Sequence, residues 1–251
     1  MIGTTWGILS SQEGESFENV SSISLDGTDS YVNCGALNSI IGINTWSVSA
    51  WVNRDSGTTQ MTIISLKENS FHGHDFQINH REATGRFDVN VNGANAFRND
   101  SVSLNDDQWY HVLVICDKGE SSQPNKCKVY LDGVQLSNIS GTNMQQIPDT
   151  NNDVTIGMQL KGTTLPYQKF FAWNGLIDEV AFWDKVLSAS EINDVYNGGT
   201  PGDLSSMSNL TNWWRMGDIN GQSGVTIADQ GSEGADGTLI NSPTYSSNVP
   251  S

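Results

Sequence analysis

The sequence predicts an all-β chain, an antiparallel two-sheet β-sandwich with one short helix. Three observations carry this. Short segments alternate apolar and polar residues with the period of a half-buried strand, as in Trp46 to Asn53. Gly, Asn, Asp and Ser recur between such segments, with strands about every ten residues, the spacing of a sandwich. One stretch alone, 189–196, is helix-sized: Ser188 and Glu191 make a capping box before it, and Gly198-Gly199 stops it.

Taken in order, residues 1–20 are polar with isolated Trp6, Ile8, Leu9 and Phe17, and read as an N-terminal arm or a first edge strand. Residues 21–251 read as one sandwich, with 201–251 as a tail completing it. Segments 22–25 and 31–34 are short strands around an Asp-Gly-Thr-Asp turn. In the next strand Trp46, Val48, Ala50 and Val52 share one face, with Trp51 on the other. Segments 61–66, 76–78 and 87–91 follow as further strands. Segments 109–116 and 128–131 form a hairpin, and Asp132-Gly133 is a tight turn after it. Segment 154–158 adds a strand. In the run from Trp173 to Phe182, Gly175 marks a bulge or a close backbone approach. The tail holds two more strands, in 210–218 and 237–241.

Composition excludes several partners. Lys and Arg number 12 against 28 Asp and Glu, for a net charge of -16. DNA, RNA and anionic membrane surfaces select cationic patches, so none is expected as a direct partner. No run of about 20 apolar residues predicts membrane insertion. The N-terminus lacks the basic and apolar regions of a secretory signal. Either a signal preceded this start or the protein leaves its cell by another route, such as release within a virus particle at lysis.

Of three cysteines, Cys116 ends one hairpin strand and Cys127 begins the next. Strand pairing would set these thiols opposite each other, as a disulfide or as two buried thiols. Cys34 reads as a small core residue.

The strand Gly175-x-Ile-Asp-Glu-Val180-x-x-Trp183, followed by Leu187-Ser-x-x-Glu-Ile192, resembles the closing strand and helix of laminin-G-like, concanavalin A-like jelly-roll domains. SISLDGTDSYVNCG (22–35), TWSVSAWVNR (45–54) and QWYHVLVICDKG (108–119) with CKVYLDGVQL (127–136) fit the same family in the same order. The resemblance covers roughly residues 20–200. Such domains often hold one structural calcium at the rim. The matching positions here are Asp26, Asp29 and Asp178, with backbone carbonyls. The competing reading makes Asp26 and Asp29 turn formers and Asp178 a cap on backbone amides.

Catalysis is not expected. A retaining glycosidase needs two carboxyl groups about 5 Å apart on one surface. No strand carries Glu or Asp at alternate positions, and strand geometry predicts that adjacent Asp178 and Glu179 point to opposite faces. His72, His74 and His80 fall near one another, but no further ligand completes a zinc set, and they read as surface histidines. Phe71, Phe97, Tyr167 and Trp173 are candidate sugar-stacking aromatics, each weighed against core packing. The sequons at Asn138 and Asn209 are explained by composition.

The resemblance implies binding or adhesion. The tail segment WWRMGD (213–218) also resembles laminin-G-like proteins of bacteriophage. The expected function is a non-enzymatic, lectin-like surface or adhesion protein contacting cell-surface or extracellular glycans, on a virion surface or outside the cell. Its other partners would be virion proteins or further copies of itself. The alternatives are a purely architectural capsid or tail decoration subunit, and a polysaccharide hydrolase.

Overall fold

The computed structural model describes residues 17–56, 60–68, 75–138, 140–141, 144–148, 150, 152–218 and 224–251. The strands in chain order are β1 (Ser22–Asp26), β2 (Tyr31–Ala36), β3 (Thr45–Arg54), β4 (Met61–Leu66), β5 (Phe76–Arg81), β6 (Arg86–Val91), β7 (Ala94–Asn99), β8 (Trp109–Asp117), β9 (Cys127–Leu131) and β10 (Val134–Gln135). They continue as β11 (Asp153–Ile156), β12 (Gln159–Lys161), β13 (Gln168–Phe170), β14 (Asn174–Trp183), β15 (Leu210–Trp214), β16 (Thr226–Ile227), β17 (Gly237–Ile240) and β18 (Thr244–Ser246). A single helical turn, α1 (Gln123–Lys126), precedes β9, and the eight-residue helix α2 (Ala189–Tyr196) follows β14.

Two antiparallel sheets stack face to face. The first runs β10-β9-β8-β3-β14-β1-β18, with β15 also on β14. The second runs β16-β17-β2-β11-β4-β5-β6-β7, and β12-β13 form a separate ribbon. This is a concanavalin A-like jelly-roll sandwich. Alternation explains the layering: Trp46, Val48, Ala50 and Val52 of β3 face Phe76, Ile78, Phe87 and Val89 of the second sheet in one buried core. Strands from 210–246 enter both sheets, β15 on β14, β18 on β1 and β17 on β2.

The two outer faces differ. On the first sheet Leu113, Ile115, Ala181, Trp183 and Trp213 point outward, and Ile192 and Val195 of α2 with Leu187 and Leu204 bury them as a second apolar cluster. The capping box is formed: Ser188 accepts from the Glu191 amide and Glu191 accepts from the Ser188 amide. On the second sheet, β12-β13 carry a small cluster of Met158, Leu160 and Ala172 against Tyr31 of β2. Beyond that ribbon, β5, β6 and β7 turn polar side chains outward.

Gly175 is the close approach anticipated from sequence. Its φ is +127°, and a Cβ there would lie 2.3 Å from the Asn53 carbonyl oxygen. The bulge of β14 sits further on. From Asp178 to Ala181 the strand takes three steps while β3 takes two, from Trp51 to Ser49, and Glu179 has φ +47°.

Candidate functional site

The sequence expectation that Asp178 and Glu179 face opposite sides is corrected by that bulge. Alternation holds only where the ladder is regular, and the extra residue turns both side chains to one place. Asp178, Glu179 and Asp218 each set a carboxylate oxygen within 4.8 Å of the others, a spacing that could hold a metal ion. The location has a structural cause. The Asn174–Ile177 half of β14 pairs with β1, and its Val180–Trp214 contact begins the pairing with β15. The cluster fills the seam between these two partners, where backbone amides lose their ladder acceptors. Asp178 Oδ1 accepts from the Glu179 amide at 2.8 Å, and Asp218 Oδ1 accepts from the Val20 amide at 2.9 Å.

Arg215 is the cation already present. Its Nε donates to Glu179 Oε1 at 3.2 Å, and its Nη2 reaches Asp218 Oδ2 at 3.4 Å and the Glu18 carbonyl. Trp213 Nε1 donates to the other Glu179 oxygen at 2.5 Å. The guanidinium lies 4.3 Å from the Phe17 ring centre and 5.3 Å from that of Trp213. Burial pushes the Glu179 carboxyl up to about 7 against the pull of Arg215 and Trp213. Burial, with Glu179 and Asp218 as neighbours, pushes Asp178 well above the usual carboxylate range. Asp178 Oδ2 is buried, and the Asn19 side chain is a hydrogen-bonding neighbour of this carboxyl. A retaining glycosidase pair has a similar carboxyl separation. Asp178 and Glu179 are 0% and 3% exposed, so no sugar reaches them.

The structure does not bring Asp26 and Asp29 to Asp178. Asp26 pairs with Asn174, four residues from Asp178 along β14, which is about 13 Å at strand rise. Asp26 Oδ1 accepts from the amides of Thr28, Asp29 and Ser30 and from the Ser30 hydroxyl at 2.8–3.1 Å. These bonds to the charged form hold its carboxyl down to about 2 against the effect of burial. Asp29 pairs with Lys169 at 3.1 Å.

Among the histidines, His72 and His74 lie outside the described residues. His80 is buried, its Nε2 3.3 Å from the Val102 carbonyl, and is not at the surface as expected. Phe71 also lies outside the described residues. Phe97 and Trp173 are 0% exposed and belong to the core. Tyr167 is half-buried at the β12-β13 ribbon with the Lys67 ammonium 4.5 Å from its ring centre. Cys116 and Cys127 are opposite in the β8-β9 register, both buried, with sulfurs 2.8 Å apart.

The outer face of the second sheet carries another polar constellation, buried apart from its arginines. Thr62, Asn79, Asp88 and Arg98 align across β4 to β7. Thr62 Oγ1 donates to Asn79 Oδ1 at 2.8 Å, and Asn79 Nδ2 to Gln77 Oε1 at 3.0 Å. Gln77 donates to Glu68, which also receives Gln159 at 2.5 Å and pairs with Lys161 at 3.0 Å. This network ties β5 to the β12-β13 ribbon and fixes a floor beside it. Sequence reasoning did not find this face. β7 (Ala94–Asn99) is too polar to read as a strand, and three of the five arginines falling between residues 81 and 98 was the available signal.

A laminin-G-type family model, described as the concanavalin A-like lectin/glucanases superfamily, matches residues 26–193. The chain belongs to that superfamily. No curated protein sequence matches it. Among solved structures, a candidate carbohydrate-binding protein from Bacteroides ovatus ATCC 8483 is similar at 17% identity and TM-score 0.62, over 93% of this chain and 62% of that one. The native heptameric SAP-like pentraxin of Limulus polyphemus is similar at 17% identity and TM-score 0.52, over 71% of this chain and 82% of that one. A Trypanosoma rangeli sialidase is similar at 15% identity and TM-score 0.42, over 61% of this chain and 22% of that one. The first two likenesses describe the fold. The chain spans about three fifths of the length of the Bacteroides protein. Among the described residues, no helix is long and apolar enough to cross a membrane.

Proposed function

We propose that this chain is a non-enzymatic, lectin-like protein that binds glycans of a cell surface or extracellular matrix, working outside the cell or on a virion surface. The supporting observation is the asymmetry of the outer faces. One is sealed by α2 over an apolar cluster, and the other carries the partly exposed Arg81, Arg86 and Arg98 beside a buried hydrogen-bonded network that ties β5 to the β12-β13 ribbon. Glycan oxygens are recognised by a few precisely placed polar groups, and fixed guanidinium groups are of that kind. The fold shared with a candidate carbohydrate-binding protein adds weight. Hydrolysis has no support from the Asp178-Glu179 pair, because that pair is buried. The test is binding of the whole chain to immobilised polysaccharides, with released reducing sugar measured in parallel. Retention without release supports the reading, and release of sugar overturns it.

Calcium has one place in this reading. Its ligands would be Asp178, Glu179 and Asp218, with Arg215 required to leave the last two. That competition predicts weak affinity, at about the 10⁻⁴–10⁻³ M end of the calcium range. Heat denaturation with millimolar calcium or chelator measures it. An unchanged melting temperature removes calcium and leaves Arg215 as the counter-ion.

The architectural reading is favoured by a separate feature. β18 is an edge strand, and Val20, Val225 and Tyr245 are exposed around it. Concentration-dependent association in light scattering, abolished by Tyr245→Lys, would favour assembly through that edge.

A further inference from the structure

Arg81, Arg86 and Arg98 stand together on the outer face of β5, β6 and β7, in a chain that has five arginines and a net charge of -16. Arg81 and Arg86 are directly opposite across the β5-β6 ladder, and Arg98 is directly opposite Asp88 across β6-β7. Like charges in facing positions destabilise a sheet. Here the fully buried Asp88 holds them, with Oδ2 3.2 Å from Arg81 Nε and Oδ1 2.5 Å from Arg86 Nε. Arg98 Nε pairs with Asp100 Oδ1 at 2.8 Å. Every one of these bonds runs through Nε, and the Nη groups of all three donate to no described residue. The side chains are 35%, 20% and 32% exposed, enough to present the outer edge of each fork while its stem is fixed. Three preoriented guanidinium edges on one surface match the planar, two-oxygen geometry of carboxylates and sulfates.

We infer that Arg81, Arg86 and Arg98 form an anion-binding shelf that takes the carboxylate or sulfate groups of an acidic polysaccharide. The inference rests on the glycan-binding reading and names its ligand class. A carboxylate or sulfate group docks against the free Nη edges, which the buried network beneath β5 and β6 holds in place. The protein's overall negative charge repels such a polymer at long range. At about 0.15 M salt the screening length is roughly 8 Å, so the short contacts at the shelf decide binding.

The experiment measures affinity of the whole chain for a uronate oligosaccharide, a sulfated galactan, a neutral β-glucan and inorganic sulfate. Arg98→Gln leaves Asp88 paired and is the safe variant for folding. The triple variant Arg81→Gln, Arg86→Gln, Asp88→Asn removes the buried carboxylate together with its partners, so that no charge is stranded. Arg98→Gln is expected to weaken the acidic ligand about tenfold, the scale of one charge-assisted contact, with Arg98→Lys restoring part of it. The triple variant is expected to abolish it. Preference for uronate or for sulfate identifies the anion, and either supports the inference. Equal affinity for neutral and acidic glycans, or acidic binding unchanged in both variants, overturns the inference and leaves the glycan reading standing. Binding of inorganic sulfate with no polysaccharide overturns both.

Discussion

Two buried titratable side chains pull stability in opposite directions. His111 is buried against Trp51 and Tyr196, and its Nε2 lies 2.9 Å from Ser49 Oγ. Burial lowers its pKa from 6.5 to about 3, so between those values the unfolded chain binds the extra proton and stability rises with pH. Glu179 is raised from 4.5 to about 7, so across that window the folded chain binds the extra proton and stability falls as pH rises. The raised pKa of Asp178 acts in the same direction as Glu179. Where the windows overlap, from 4.5 to 6.5, His111 offsets part of the fall that the two carboxyls impose. Glu179→Gln leaves Asp178 opposing His111 and is expected to flatten the pH dependence over that range, and His111→Gln is expected to make stability fall more steeply. Denaturant midpoints at several pH values read both slopes, and parallel profiles for the two variants would contradict this account. The cysteines give a second residue-scale prediction. With Cys116 and Cys127 facing each other across adjacent strands, the oxidised protein is expected to show one alkylatable thiol after denaturation, Cys34, and three after reduction. Three thiols before reduction would mean that the facing pair stays reduced.

At the scale of elements, β14 does most to organise the molecule. It pairs with β3 on one edge and with β1 and β15 in turn on the other, and its bulge creates the acidic seam. A side chain at Gly175 meets backbone and an unfavourable φ together. Gly175→Ala is expected to cost roughly 3 kcal/mol. Ser188→Ala removes one half of an exposed capping box and is expected to cost about 1 kcal/mol. Chemical denaturation of the two variants checks the contrast, and a larger loss at Ser188 would assign α2 the organising role. The same elements show what was legible in the sequence. β3 and α2 announce themselves, β3 by strict alternation and α2 by its cap. The Asp178-Glu179 bulge does not, because one inserted residue leaves the local pattern of apolar side chains intact while re-aiming two carboxylates. β7 was hidden for a different reason: as an edge strand with one polar face, its segment reads like a loop.

Across the whole molecule, the two outer faces divide the work. The first sheet uses its outer face for stability, burying Trp183 and Trp213 under α2 and the chain around it. The second carries no helix over β5, β6 and β7, and sets a rim of partly exposed arginines beside a buried network of Glu68, Gln77 and Asn79. The sequence made the sandwich readable because periodicity and turns are local properties. The binding face was not readable, because it assembles from strands that meet only through tertiary register. Hydrogen exchange of the whole chain, with and without an acidic polysaccharide, tests the central claim most directly. The account predicts new protection confined to β5, β6, β7 and the β12-β13 ribbon. Protection over α2 and the first sheet instead, or none on any segment with any glycan offered, would contradict it.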